Sequence, residues 1–222
     1  MKNKVVKIVL ILLFVNFFHS ISFSENQFNF NVSNLEISEN GNIFKGLNKG
    51  IITANNGIKI TADSFEYNKN LNILNASGNV KIEDNIQNYQ IFSENITYEK
   101  NREKIFTQNN SRAIYQDGKK INAENFEFDK ISNILNANGN VKVEDKIQNY
   151  IIYTENLTYD KNLQKIFTKG STKSNILSKY LFQTKGVEFL LREKKISSKE
   201  KSTIKDNNSN LLKLDSFVYL VN

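Results

Sequence analysis

From residue 74 to residue 82 the chain alternates strictly. Leu74, Ala76, Gly78, Val80 and Ile82 are apolar or small, and Asn75, Ser77, Asn79 and Lys81 between them are polar. A period of two sends alternate side chains to opposite faces, so this stretch predicts a strand with one buried face. Ile60 and Ala62 alternate in the same way, but the phase slips by one before Phe65 and Tyr67. Such a slip predicts a bulge or corner that bends the strand. The triplets NKN at 68–70, EKN at 99–101 and DKN at 160–162 fall between such stretches and read as hairpin turns. No stretch of helical length carries a 3.6-residue apolar period.

The pattern repeats. NILNASGNVKIED at 72–84 returns as NILNANGNVKVED at 133–145, and 24 of the 34 residues at 74–107 are identical to those 61 positions later. A shorter unit lies inside that period, with the template apolar-x-small-x-x-apolar-x-aromatic. It begins at Phe30, Ile60, Ile91, Ile121, Ile152, Phe182 and Leu212, every 30 or 31 residues. A period of this length marks units that bury their apolar faces only by stacking on their neighbours. Two strands and two turns per unit predict an all-β protein of about 13–14 antiparallel strands from seven repeats, stacked along one axis and folded with apolar faces together. Small residues at inward positions, such as Ala76, Gly78, Ser93, Thr107, Ala137, Gly139, Thr154 and Thr168, allow two readings. Either the sheet packs tightly at a narrow end, or a cleft is left open for an apolar guest.

Composition removes several chemistries. The 222-residue chain has no Cys, Trp or Pro, and its one histidine is His19. It is 39% hydrophobic, with a mean hydropathy of −0.47 and a formal charge of +7. Lys2, Lys4 and Lys7 precede an apolar run at 8–18, and Ser22 and Ser24 stand at −3 and −1 of a cut before Glu25. That is the layout of a secretory signal over 1–24, with a retained anchor as the alternative. Cleavage would leave 25–222 as one exported domain with neither His nor Cys. Such a domain has no Ser–His–Asp or Cys–His nucleophile and no usual zinc site. No catalytic residue, metal or cofactor is expected, and no motif points to nucleic acid.

ADSFEYNKNLNILNASGNVKIED at 62–84 and AENFEFDKISNILNANGNVKVED at 123–145 resemble the OstA-like (organic-solvent-tolerance) repeat of the lipopolysaccharide transport family. The pattern is carried by Ala62, Phe65, Tyr67, Leu74, Ala76, Gly78 and Val80, and again by Ala123, Phe126, Phe128, Leu135, Ala137, Gly139 and Val141. The opening at 28–60 and the tail at 210–222 look most like the N-terminal domain of the outer-membrane assembly member, although no barrel follows here. The resemblance implies an elongated twisted β-jellyroll, V-shaped in section, with the acyl chains of lipopolysaccharide in its interior. It also implies a periplasmic location, association with the outer-membrane assembly complex, and edge-to-edge pairing with similar modules.

On this reading the lipid-facing residues are Ile60, Phe65, Tyr67, Val80, Ile82, Ile91, Ile96, Tyr98, Ile121, Phe126, Phe128, Val141, Val143, Ile152, Leu157 and Tyr159. The partner-facing edge is the last strand, with Leu212, Leu214, Phe217 and Tyr219. Its unpaired groups suit strand addition by a partner, or mark a chain cut short. Two other functions remain open. A structural or protein-binding β-repeat would have a fully packed core and no lipid ligand. A polysaccharide hydrolase would use a row of carboxylates, for which Asp63, Glu94, Glu124 and Glu155 recur at one repeat position. One acid per unit at a fixed place more often serves turn chemistry. The basic stretch at 191–205 reads as a solvated strand edge and loop rather than an anion site.

Overall fold

In a computed structural model residues 28–221 are described, and they form one nineteen-stranded antiparallel sheet. The first ten strands are β1 (Phe28–Ser38), β2 (Ile43–Ala54), β3 (Ile58–Ala62), β4 (Ser64–Asn68), β5 (Ile73–Asp84), β6 (Tyr89–Glu99), β7 (Lys104–Gln108), β8 (Ser111–Tyr115), β9 (Lys119–Ala123) and β10 (Asn125–Asp129). The rest are β11 (Ile134–Asp145), β12 (Tyr150–Asp160), β13 (Lys165–Ile176), β14 (Tyr180–Thr184), β15 (Glu188–Leu190), β16 (Lys195–Ser198), β17 (Ser202–Asp206), β18 (Leu211–Leu214) and β19 (Phe217–Leu220). Among the described residues the only helical segments are two single 3-10 turns, Glu39–Gly41 and Lys100–Arg102.

Seven strands run unbroken: β1, β2, β5, β6, β11, β12 and β13. The other twelve are halves of strands broken at a corner. Both β3 and β4 lie along β5, for example, and both β14 and β15 lie along β13. The chain therefore makes thirteen antiparallel passes, each paired with its neighbours in sequence order, the first and last on one side only. This is an elongated β-jellyroll in which every pass folds at mid-length, so that the two halves of the sheet face each other across one apolar interior. The corners form a spine, and the turns form two rims that meet at a mouth. The leader expected over 1–24 lies outside the described residues. Among those described, no helix is long and apolar enough to cross a membrane.

The corners explain why polar letters recur with the apolar ones. Gly78 and Asn79 have φ of 77° and 49°, and Gly139 and Asn140 have 78° and 48°. Consecutive left-handed residues break the pleat and turn the strand, and Gly and Asn adopt that region at least cost. The register of β5 against β6 shifts here, between Ser77 and Val80, and that of β11 against β12 shifts between Asn138 and Val141. The Asp63 N–H donates to the Gly78 carbonyl, and the Glu124 N–H to that of Gly139, both at 2.9 Å. Asn79 Nδ2 donates to Asp63 Oδ2 at 2.8 Å, and Asn140 Nδ2 to Glu124 Oε1 at 2.6 Å. These acids of the recurring row fasten corners.

The turns use the other repeated polar residues. Asp84 Oδ1 accepts from the backbone N–H groups of Ile86 and Gln87, and Asp145 Oδ1 from those of Ile147 and Gln148. Asn72, Asn88, Asn133 and Asn149 close their turns with φ between 53° and 58°. Backbone bonds then link each turn to the next along the rim, as from the Lys100 N–H to the Asn72 carbonyl and from the Lys161 N–H to the Asn133 carbonyl.

Candidate functional site: the interior and its mouth

All sixteen expected lipid-facing residues point inward and belong to one buried cluster, each 6% exposed or less. Their placement follows from the alternation, because Ile60, Ile82 and Ile91 share a face of three paired strands, as Ile121, Val143 and Ile152 do. Side-chain size is graded across the interior. The spine is lined by small and hydroxyl residues, among them Ala62, Ser93, Thr107, Ser111, Thr154, Thr168 and Thr172, all buried. Their hydroxyls satisfy the corner backbone. Ser93 Oγ donates to the Gln108 carbonyl at 2.9 Å, and the Phe126 and Val187 N–H groups donate to Thr107 and Thr168 Oγ1. Of the two readings of these small residues, the spine shows tight packing at the narrow end. Isoleucine, leucine and valine fill much of the rest, and Tyr67, Tyr89, Tyr98, Tyr115, Phe128, Tyr150 and Tyr159 stand within two residues of the rim turns, whereas Phe65, Phe126 and Phe217 stand beside the corners.

The aromatics meet across the fold. The pairs are Phe28–Tyr67 at 4.9 Å between ring centroids, Tyr89–Phe128 at 5.0 Å, Tyr115–Tyr159 at 5.2 Å, Tyr150–Phe189 at 4.9 Å and Phe182–Phe217 at 5.1 Å. Four of these five are edge-to-face, the favoured geometry for ring pairs. The first four close the interior beneath the rims, and Phe182–Phe217 packs deeper, beside the last corner. Burial pushes the phenols of Tyr89, Tyr98, Tyr115, Tyr150 and Tyr159 far above their ordinary pKa, so these rings stay neutral.

Above the aromatics the rims are joined by polar contacts that pattern reading did not anticipate. Glu103, on one rim, accepts from Tyr98 Oη at 2.6 Å and from Asn56 Nδ2, on the opposite rim, at 2.9 Å. It is also ion-paired with Lys100 and with Lys130, the latter at 3.3 Å. Lys130 reaches Asp84 on the opposite rim at 3.5 Å. Lys161 donates across to the Gln87 carbonyl, and Lys119 sits over the Tyr159 ring, 4.9 Å from its centroid. Lys119 and Lys130 are buried cations, and the surrounding carboxylates offset their desolvation. The rows of Lys and Glu near turns carried no signal of this pairing, because contacts between rims join residues 43 to 74 positions apart. The closure is imperfect, since the amide oxygens of Asn56, Gln87 and Gln148 are buried at the mouth with no partner among the described residues.

This latch is sensitive to acid. Burial opposes ionisation of Glu103, but the hydrogen bonds from Lys100 and Tyr98 and the charge of Lys130 outweigh it and hold the carboxyl below its ordinary range. A lowered carboxyl pKa contributes stability that is present above the unfolded value of about 4.3 and is lost as pH falls through the folded value. Glu103→Gln is therefore expected to lower stability by about 1–2 kcal/mol at neutral pH, allowing for partial solvent screening. The gap should close below about pH 4. Urea titrations of both proteins across pH check this, and a gap independent of pH would show that the carboxylate charge is not what matters.

At the far end the last strand proves to be two halves, β18 and β19, paired on one side with β17 and β16. Its other edge is unpaired among the described residues, and so is the outer edge of β1. Of the four edge residues, Phe217 is buried, and Tyr219 packs against Tyr180 and Phe182 at 5.4 and 5.3 Å. Leu212 is exposed and Leu214 half-exposed. The free edge is thus one of backbone groups, with its aromatic side chains turned inward. The stretch at 191–205 forms a turn, β16, a bend and most of β17; it is not the expected strand edge, because β16 is paired with both β15 and β19 and β17 with both β14 and β18.

No family model matches the chain, and no curated protein matches it. Among solved structures it is similar to the crystal structure of LptH, the LptA homologous periplasmic component of the conserved lipopolysaccharide transport device from Pseudomonas aeruginosa. That likeness has 14% identity and a TM-score of 0.46, and covers 50% of this chain and 82% of that one.

Proposed function

We propose that the protein is an exported lipid-carrying module of lipopolysaccharide transport, which shelters acyl chains in its interior while saccharide and phosphate stay in water. One observation carries this reading. The apolar interior runs through all thirteen passes and is reached from both ends. The hydrophobic residues that pack on the core yet remain partly exposed are Phe30, Val32 and Phe44 at one end, and Leu177, Tyr180, Ile204, Leu214 and Tyr219 at the other. A conduit leaves such ends accessible, and among the described residues no segment covers them. The sequence resemblance to the OstA-like repeat points the same way.

The energetics favour a shelter of this shape. Each buried methylene is worth about 0.8 kcal/mol, so an acyl chain of about twelve methylenes costs on the order of 10 kcal/mol to hold in water. No chemistry is required of the carrier. The backbone edges of β1 and of the last pass suit strand addition by similar β-jellyroll modules, which would extend the interior from one module to the next. The assembly complex of the outer membrane would be the terminus of such a chain of modules.

A second reading, a structural or protein-binding repeat without lipid, is favoured by the ring pairs that meet across the fold. One experiment separates the two. A photo-crosslinking amino acid at Phe126, which faces inward, is expected to capture lipopolysaccharide in cells. The same group at Glu127, which faces outward and pairs with Lys104 at 2.6 Å, is expected not to. Equal capture at both positions, or none at Phe126, favours the structural repeat.

A further inference from the structure

We propose that the rim turns form a docking face for an anionic lipid bilayer. The proposal does not depend on what the interior carries. Turn tips are usually polar, yet here the three most exposed large hydrophobic residues of the described chain are Ile147, Ile131 and Ile86, at 76%, 74% and 73%, and all three sit on rim turns. Leu163 and Leu71, at 64% and 59%, sit on two more. The core has no need of them, since each lies outside the buried cluster.

Contacts between the rims gather four of these tips into one area. Gln87 Nε2 donates to the Lys130 carbonyl at 3.4 Å, and Lys161 donates to the Gln87 carbonyl, so the turns at 85–88, 130–133 and 161–164 touch. Ile86 and Ile131, one from each rim, flank a hollow of about 200 Å³ with Asp84, Glu103 and Lys130. The Gln116 N–H donates to the Asn88 carbonyl, and the Ile147 side chain leans over Gly118 of that neighbouring turn. Ile86, Ile131, Ile147 and Leu163 therefore stand together around the mouth.

Charge supplies the second argument. The rim turns between Glu39 and Lys194 hold nine cations, Lys69, Lys100, Arg102, Lys130, Lys146, Lys161, Lys179, Arg192 and Lys194. Against them stand four anions, Glu39, Glu103, Asp117 and Glu193. Setting Lys2, Lys4, Lys7 and Glu25 aside from the chain's 30 cations and 23 anions leaves 27 and 22 for residues 28–222. The excess of five positive charges on the turns thus equals the whole net charge of the folded region, and the strands and spine are balanced. Branched aliphatic tips interleaved with Lys and Arg on one face match the interface of an anionic bilayer. The tips enter the boundary of headgroup and acyl chain, and the exposed cations Lys69, Arg102, Lys146, Lys179, Arg192 and Lys194 meet the phosphates, while Lys130 stays buried in the latch.

The test is flotation of the purified full-length protein with vesicles. Vesicles of phosphatidylglycerol and phosphatidylethanolamine are expected to carry the protein upward at low salt, and pure phosphatidylcholine vesicles are expected to bind it at least about tenfold more weakly. The combined variant Ile86→Asn, Ile131→Asn, Ile147→Asn and Leu163→Asn is expected to lose that binding while keeping the circular dichroism spectrum and melting temperature of the parent. These side chains are exposed, so folding should tolerate the change. Unaltered flotation of the variant would assign binding to another part, such as the apolar run at 8–18, and would overturn the proposal. Absence of binding to anionic vesicles, or equal binding to both vesicle types, would overturn it too. Interior crosslinking at Phe126 is read separately, so either proposal can fail alone.

Discussion

Leu135→Ala is expected to lower the unfolding free energy by about 2–5 kcal/mol, and Leu74→Ala by a similar amount. Both leucines are fully buried, and each occupies the same place in one copy of the duplicated unit, Leu74 opposite Tyr98 and Leu135 opposite Tyr159. They lie on β5 and β11, four passes and so roughly 19 Å apart, far enough for their effects to add. The double variant should then lose about 4–10 kcal/mol, comparable to the whole stability of a typical domain. It is expected to be largely unfolded at room temperature, as followed by far-ultraviolet circular dichroism in urea. If Leu135→Ala cost less than about 1 kcal/mol, the interior would not be packed at native density there. That outcome would match a chamber kept loose for a guest. A large cost at one site and a small one at the other would show that the copies have diverged in packing despite their shared sequence.

The fold was legible because its rules are local. Alternation over 74–82 places Leu74, Ala76, Val80 and Ile82 on one buried face, and the structure buries all four. The phase slip before Phe65 marks a break in the strand, where Asp63 separates β3 from β4. The Lys-Asn triplets fall at turns. The two copies of the opening motif differ little because Gly78, Asn79, Asp84 and their counterparts each have a backbone task that few residues perform. Seven units of two strands gave the correct number of passes to within one. What pattern could not reach was the relation of one rim to the other. The contacts of Asn56 with Glu103 and of Lys130 with Asp84 depend on how the sheet twists as it folds. A period of two fixes which side of a strand a residue faces, but says nothing of which distant turn it meets. For the same reason alternation marks Tyr67 and Tyr98 as inward but not their role in closing the mouth. Nor did the pattern show that Phe217 and Tyr219 turn inward at the final edge, because alternation there leaves either face free until the neighbouring half-strand is placed.

Phe128→Ala is expected to cost about 3–5 kcal/mol, since the ring is buried and pairs edge-to-face with Tyr89 at 5.0 Å. Some of that loss should fall on the closure of the mouth rather than on the fold as a whole, because the pair spans the two halves of the sheet. Every 1.4 kcal/mol or so removed from the closed arrangement raises the open fraction about tenfold. If the interior admits acyl chains through the mouth, uptake of a fluorescent fatty acid should therefore accelerate in Phe128→Ala by about tenfold or more. A comparable core truncation one layer deeper, Ile152→Ala, destabilises the fold without removing a ring pair or a contact between the rims and serves as the control. If both variants take up the probe equally fast, uptake follows global loosening. If neither takes it up while both lose stability, the ring pairs are packing alone and the structural-repeat reading gains. Acceleration in Phe128→Ala only would make the aromatic layer the barrier a guest must cross, with the polar latch above it setting how often the rims part.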